Sequence, residues 1–128
     1  MLPSEFELLK HILDEISFVL KATAGKDKES VIDDPVLSRA IIRSLEIIGE
    51  VCTKLDPDFK ATYPHIEWRK MSGTRNRLIH DYFGVDYDIV WDIIITKLPV
   101  LNDDIQEVFD KNQQELNIIS FQLPINIT

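Results

Sequence analysis

The sequence is poor in cysteine, glycine and basic side chains. Its single cysteine, Cys52, excludes an intramolecular disulfide framework and fits a reducing compartment. Because Cys52 lies in an apolar helical pattern, we interpret it as a buried structural thiol rather than a nucleophile. The four glycines form no phosphate-binding loop, and the cysteine and three histidines lack the spacing of metal ligands. We therefore expect neither a metal nor another cofactor.

Long apolar runs are also missing. No run approaches the length that crosses a bilayer, and residues 1–5 lack the basic and apolar layout of a signal peptide. We therefore expect a cytoplasmic protein without a membrane span. The 14 Lys and Arg residues against 22 Asp and Glu give a net charge of −8. This acidity argues against general coating of nucleic acid, which depends on cations that neutralise phosphates, so any contact with RNA must be local.

What the sequence does contain is helical periodicity. Apolar residues recur at spacings of three and four, with no convincing pair of strands, so we predict a single all-α domain over residues 1–117. The predicted helices cover about residues 5–21, 35–54 and 66–82, with a possible turn at 27–31, a short helix between Asp56-Pro57 and Tyr63-Pro64, one helix capped by Asp86 and a last one from Pro99 to about Leu116. Residues 118–128 form an apolar C-terminal tail, expected to be extended and to dock on the bundle or on a partner.

Some single residues within these helices carry further predictions. Ser4 opens a capping box before the first helix. The apolar face that follows consists of Phe6, Leu9, Leu13, Ile16 and Leu20. Gly49 lies in the middle of a helix and indicates a close approach to another backbone, whereas Gly73 is a weak point in its helix. Trp68 and Trp91 lie on apolar faces and are interpreted as core anchors.

A basic segment stands out in this acidic chain. Residues 66–82 hold four basic side chains against two acidic ones, so the other 111 residues carry a net charge of −10. Within this segment, Arg75 offers a cationic fork for phosphate oxygens, and His80 can transfer a proton near neutral pH. These two are the candidate catalytic residues. Asn76, four positions before His80, and Arg77 are candidates for orienting the imidazole or supporting a bound phosphate.

The spacing of Arg75 and His80 raises a geometric problem. On an ideal helix the two positions are about 140° apart, so one straight helix cannot aim both side chains at the same atom. Either the long side chains curl round, or the helix ends near His80, or two copies of the motif meet across a dimer. The helix dipole also favours basic residues near the C-terminal end of a helix, so a purely structural role of Arg75 and His80 stays open.

Other polar residues are weaker candidates. Glu46 and Glu50 are one turn apart, but they have no histidine in register, and we interpret them as surface or salt-bridging residues rather than acid, base or metal ligands. His11 and His65 are interpreted as surface or capping residues.

The motif resembles a known family. Arg75, His80 and Tyr82 match the R-x4-H-x-Y pattern of HEPN-domain toxins of the HepT type, and Asn76 fills the polar position after the arginine. The resemblance covers about residues 5–112. Further segments in the order of that family are 45–50, 63–68, 81–86, 91–92 and 98–99.

This resemblance implies a HEPN-type up-and-down bundle of about five helices, paired as a two-fold dimer with both motifs in one cleft. It also implies the toxin of a type VII toxin–antitoxin pair, a metal-independent endoribonuclease that cleaves RNA with Arg75 and His80. A minimal nucleotidyltransferase antitoxin of the MntA-like type, encoded beside it, would neutralise the toxin by AMPylation of Tyr82.

Two other classes of function remain open. A non-catalytic HEPN module would bind nucleotide or a partner nucleotidyltransferase, although the intact Arg75 and His80 count against it. A structural interaction protein would use the apolar tail and the acidic surface. Growth arrest on expression that His80→Ala abolishes would separate the toxin from both alternatives.

Overall fold

The computed structural model describes residues 3–78 and 84–122, without the side chains of Pro3, Arg75, Leu116 and residues 119–122. Regular structure in these residues is helical, which confirms the predicted all-α class. The helices are α1 (Pro3–Thr23), α2 (Lys28–Ile32), α3 (Pro35–Lys54), α4 (Pro57–Thr62), α5 (Trp68–Ser72), α6 (Thr74–Leu78), α7 (Tyr87–Asp92), a π-helical segment (Ile93–Lys97) and α8 (Leu98–Gln122). None of these helices has the length and apolar character needed to span a bilayer.

Aspartates begin several of the helices. The carboxylates of Asp27, Asp34, Asp56 and Asp86 each accept a hydrogen bond from a backbone N–H group in the first turn that follows. In α3 and α4 a proline comes directly after the cap, where its missing N–H group costs nothing. The predicted starts of these helices, including the additional turn after Asp27, are confirmed.

The core forms around α3, which packs against α1, α2, α5 and α6, while α8 covers another side of α1. Apolar residues recur at helical spacing along α3, at Leu37, Ile41, Leu45, Ile48 and Cys52, and this stripe faces the core. Its buried members are Ile41, Leu45, Ile48 and Cys52. The predicted face of α1 is only partly right. The fully buried positions are Leu9, Ile12, Ile16 and Val19, because α1 is covered by both α3 and α8 and buries a wider surface than one stripe.

Three predicted boundaries differ from the structure. Helix α1 already includes Ser4, so Ser4 is not its N-cap. The long helix expected over 66–82 is, in its described part up to Leu78, two short helices, and the break lies at Gly73, the predicted weak point. The extended conformation expected after residue 117 is wrong as far as Gln122, because α8 continues to that residue. Residues 123–128 lie outside the described part of the chain.

Gly49 confirms the predicted close approach between helices. An added Cβ atom at Gly49 would lie 2.8 Å from the carbonyl oxygen of Met71, at the end of α5. Only a residue without a side chain lets the backbones of α3 and α5 come this close. Helix α5, and with it the start of α6, is thereby held against the centre of the bundle.

Candidate functional site

Helix α6 carries the first half of the sequence motif. Thr74 and Leu78, one turn apart, are buried, and the Thr74 hydroxyl donates a hydrogen bond to the carbonyl of Lys70 at 3.1 Å. Asn76 and Arg77, by contrast, are exposed. The helix therefore presents both predicted supporting residues to solvent.

For the remaining motif residues, the structure describes only the chain on either side of them. The side chain of Arg75 lies outside the described residues, as do His80 and Tyr82 altogether. On either side of 79–83, the backbone N–H of Asp86 donates a hydrogen bond to the carbonyl of Leu78 at 2.7 Å. The two described ends of this segment are therefore joined to each other.

A groove of about 340 Å³ opens beside α6. Its apolar lining comes from Leu45, Ile48, Ile66, Met71, Ile93, Leu98, Val100 and Leu101. Its polar lining comes from His65, Glu67, Lys70, Thr74, Arg77, Thr96, Lys97 and Asp104. Of the two predicted supporting residues, Arg77 lines this groove and Asn76 does not. We call this feature the α6 groove.

The α6 groove holds two carboxylates, those of Glu67 and Asp104, beside its basic side chains. Lys70 Nζ donates a hydrogen bond to Glu67 Oε1 at 3.0 Å. This hydrogen bond, together with the charge of Lys70, holds the pKa of the Glu67 carboxyl below its ordinary value, and the charges of Lys97 and Arg77 act in the same direction. Glu67 is exposed, so these interactions are screened by solvent. The Glu67 carboxylate is thus paired with Lys70, one of the basic side chains of the groove.

A set of hydrogen bonds fixes the connection between α4 and α5, which carries His65 and Glu67. The indole N–H of Trp68 lies 3.1 Å from the carbonyl oxygens of both Lys60 and Tyr63. Asn112 of α8 donates a hydrogen bond to the hydroxyl of Tyr63 at 2.8 Å. Because Trp68 is buried and bonded at its polar atom, the sequence interpretation of Trp68 as a core anchor is confirmed.

The π-helical segment shapes the other side of the groove. Ile93, Thr96 and Lys97 all line it, and Lys97 is the last residue of the segment. A π turn holds one more residue than an α turn, and such turns are frequent at functional sites. Pro99 follows at the start of α8 and does not interrupt the helical path.

Sequence reasoning missed most of the groove. His65 was interpreted as a surface or capping residue, and it is exposed, yet it also lines the groove. The segment 63–68 did carry a signal, since it is one of those that resemble the HepT-type family. Lys97 carried none, because its position depends on the π turn.

Other polar candidates have structural roles. Arg43 Nη1 lies 3.5 Å from Glu46 Oε2 and 3.7 Å from Glu50 Oε1, which confirms a surface salt-bridging role for both glutamates. His11 forms an exposed pair with Glu15. Cys52 is fully buried, and burial raises the pKa of its thiol to about 12, so the prediction of a structural thiol is confirmed.

Comparison with known proteins gives a consistent family. Residues 12–108 match the family model "Ribonuclease HepT-like". The protein named "Putative RNase TTE0752" of Caldanaerobacter subterraneus subsp. tengcongensis is 40% identical over 105 residues, which cover 82% of this chain and 94% of that protein. "Probable ribonuclease HepT" of Thermococcus cleftensis is 37% identical over 98 residues, which cover 77% of this chain and 89% of that protein.

A third relative, "Putative RNase MJ0127" of Methanocaldococcus jannaschii, is 39% identical over 100 residues, which cover 78% of this chain and 80% of that protein. No solved structure gives a significant match. The family model spans α2 to α7 completely and parts of α1 and α8, including the basic segment and all the residues that line the α6 groove. The chain therefore belongs to the HepT-like ribonuclease family of HEPN proteins.

Proposed function

We propose that this protein is an endoribonuclease that acts as the toxin of a toxin–antitoxin pair, with Arg75 and His80 as its catalytic residues. The observation that carries the proposal is the family match over residues 12–108, which includes the complete R-x4-H motif. The names of the relatives, several of which call them RNases, support the same activity.

The chemistry of RNA cleavage gives each residue a role. One His80 imidazole takes the proton of a ribose 2′-hydroxyl, and the 2′-oxygen forms a bond to the adjacent phosphorus. The bond from phosphorus to the 5′-oxygen breaks, and a second imidazole, in its protonated form, donates a proton to that oxygen. Arg75 stabilises the additional negative charge on the phosphorus oxygens. The products are a 2′,3′-cyclic phosphate and a free 5′-hydroxyl, and no metal takes part.

The α6 groove supports the position of this site. Arg77 lines the groove, and chain connectivity keeps the α-carbon of His80 within about 11 Å of that of Arg77. A substrate phosphate near His80 would therefore lie close to basic side chains that belong to different elements of the bundle. We propose that Asn76, which is exposed on the same helix as Arg77 and lies four positions before His80, orients the imidazole.

A two-fold dimer completes the proposed site. The mechanism requires an acid and a base, and each chain supplies one His80. Pairing two chains with their α6 helices together brings two imidazoles and two guanidinium groups to one cleft, and closed two-fold pairs are the commonest oligomers. Sedimentation of the purified protein at tens of micromolar tests this arrangement, and a monomer at that concentration would contradict it.

Purified protein and defined RNA test the reaction itself. We expect cleavage that persists in a chelator and leaves 2′,3′-cyclic phosphate ends. Arg75→Ala and His80→Ala should each abolish cleavage while the circular dichroism spectrum stays unchanged. Lys111→Met, which removes an exposed charge on α8, is the matched control and should retain full activity. Cleavage by His80→Ala at the wild-type rate, or a strict requirement for magnesium, would contradict the mechanism.

We propose that the protein's antitoxin is a minimal nucleotidyltransferase that transfers AMP to the hydroxyl of Tyr82. The phenol oxygen attacks the α-phosphorus of ATP, pyrophosphate leaves, and the tyrosine proton passes to solvent or to a base. Each added AMP brings a charge of about −1 and a bulky base near Arg75, where the substrate phosphate is expected. Intact mass after co-expression with the neighbouring nucleotidyltransferase tests this step. The added mass should be absent in Tyr82→Phe, and an unmodified but neutralised toxin would contradict it.

A further inference from the structure

The α6 groove has two surfaces of different chemistry. The floor is apolar and includes Ile48, Leu98 and Leu101. The polar edge carries three cationic side chains and two carboxylates, which are Lys70, Arg77, Lys97, Glu67 and Asp104. Its volume of about 340 Å³ is in the range of small-ligand sites, which begin at about 300 Å³. An apolar floor beside cationic side chains suits a ligand with a flat ring at one end and an anion at the other.

We propose that the α6 groove is a subsite for one nucleotide of the substrate RNA next to the scissile phosphate, with the base on the apolar floor and the phosphate held by Arg77 and Lys97. This inference rests on the proposed ribonuclease function. It assigns roles to Lys97, Lys70 and Glu67, none of which belongs to the sequence motif. Single-stranded RNA is the occupant because an unpaired base can leave its stack and enter a groove of this size.

Glu67 gives the subsite a built-in competitor. Its carboxylate accepts a hydrogen bond from Lys70 Nζ at 3.0 Å, so one cation of the groove already has an anionic partner. An incoming phosphate would replace Glu67 as the partner of Lys70, and the exposed Glu67 side chain is able to turn into solvent. Removal of the Glu67 charge should therefore strengthen binding, whereas removal of the Lys97 charge should weaken it.

A titration locates the ligand directly. Nitrogen-labelled His80→Ala protein, which is expected to be inactive, is titrated with adenosine 5′-monophosphate and, separately, with ribose 5-phosphate. We expect the nucleotide to shift the amide signals of Thr96, Lys97 and Leu101. Affinity for ribose 5-phosphate should be at least about threefold weaker, because this ligand has no base to bury on the apolar floor. Equal affinities would reduce the groove to a general anion site and overturn the base position. Shifts confined to other faces would overturn the subsite.

Charge variants test the polar edge with a non-cleavable probe, a short RNA with 2′-O-methyl groups at every position. Lys97→Met should lower affinity about threefold to tenfold, because it keeps the aliphatic stem and removes one phosphate contact. Glu67→Gln should raise affinity about twofold to fivefold. Lys111→Met on α8 is the matched control and should change nothing. Unchanged affinity in both groove variants, with an unchanged thermal midpoint, would contradict the proposal.

Cleavage kinetics separate this inference from the proposed function. If the wild-type protein cleaves RNA and Lys97→Met raises KM with little change in kcat, both the ribonuclease function and the nucleotide subsite are supported. If the wild-type protein cleaves RNA and Lys97→Met has wild-type KM and kcat, the subsite fails and the ribonuclease stands. If the protein binds the nucleotide in the groove but never cleaves RNA, the ribonuclease fails and the groove is left as a nucleotide site of a non-catalytic HEPN module.

Discussion

Gly49 is a single residue on which the packing of α3 against α5 depends. A methyl group there would lie 2.8 Å from the Met71 carbonyl oxygen, a backbone atom that cannot rotate away. Gly49→Ala should therefore lower the free energy of unfolding by about 1–3 kcal/mol, despite the helix-propensity gain of about 1 kcal/mol from alanine. Denaturant unfolding measures the difference.

Gly73 offers the control for this substitution. An added Cβ at Gly73 would lie 3.4 Å from the Arg69 carbonyl oxygen, at ordinary contact distance, and the backbone there has a negative φ of −85°. Gly73→Ala should change stability by no more than about 0.5 kcal/mol. A loss at Gly73 as large as that at Gly49 would mean that glycine's flexibility, rather than the close approach, governs both positions.

The buried thiol of Cys52 should lower the free energy of unfolding at alkaline pH. Burial raises the pKa of the folded thiol from 9.0 to about 12, with a smaller opposing effect from the charge of Lys60. Below about pH 9 both folded and unfolded thiols keep their proton, so the full stability is present. Above pH 9 the unfolded chain loses this proton first, and stability falls by about 1.4 kcal/mol per pH unit until about pH 12.

Cys52→Ala removes this titration and provides the measurement. The variant should be less stable than the wild type at pH 7 by about 1 kcal/mol, through lost packing. Unfolding curves are measured between pH 7 and pH 10.5. As the pH rises, the difference in free energy of unfolding between the wild type and the variant should shrink and then change sign. Parallel pH profiles for the two proteins would show that the buried thiol does not titrate as described.

At the scale of elements, the link between α4 and α5 depends on one indole group. Trp68→Phe keeps an aromatic ring but leaves the carbonyls of Lys60 and Tyr63 without the indole N–H that lies 3.1 Å from each. We expect a loss of about 1–3 kcal/mol and faster amide exchange in residues 63–68. Trp91→Phe is the control, with a smaller loss expected because Trp91 is only half-buried. Equal losses would point to ring size alone.

The helix starts that an aspartate caps are the features that the sequence predicts best. Asp34-Pro35, Asp56-Pro57 and Asp86 are local signals, and a capping carboxylate acts within its own first turn. The face of α1 was harder to predict, because it depends on which helices cover it. The continuation of α8 past residue 117 was missed for a related reason, since an apolar run can be helical or extended.

The candidate site also has a part that the sequence predicts and a part that depends on how the helices pack. The R-x4-H-x-Y motif is local and is read directly from residues 75–82, whereas the α6 groove joins residues from α3, α5, α6 and α8. Lys97 is 20 residues beyond Arg77 in the sequence, and the two meet through the fold and the π turn. Periodicity reports which residues share a face of one helix, but it does not report which faces of different helices meet.

At the scale of the whole molecule, subunit mixing tests whether two His80 imidazoles serve one cleft. Wild-type and His80→Ala chains are combined in equal amounts and allowed to exchange subunits. If each cleft needs both imidazoles, only the wild-type pairs are active, and activity falls to about one quarter of that of pure wild-type protein. Chains that act independently would retain about one half. Mixing with Lys111→Met chains is the control and should preserve full activity.

The basic side chains of the α6 groove belong to a chain with a net charge of −8. At about 0.01 M ionic strength the Debye length is about 30 Å, so an approaching RNA strand is repelled by the molecule as a whole. At about 0.15 M it is about 8 Å, and only nearby groups such as Lys70, Arg77 and Lys97 act on the strand. Stopped-flow association rates should therefore pass through a maximum at intermediate ionic strength, unlike those of a uniformly basic nuclease, for which encounter slows at every addition of salt.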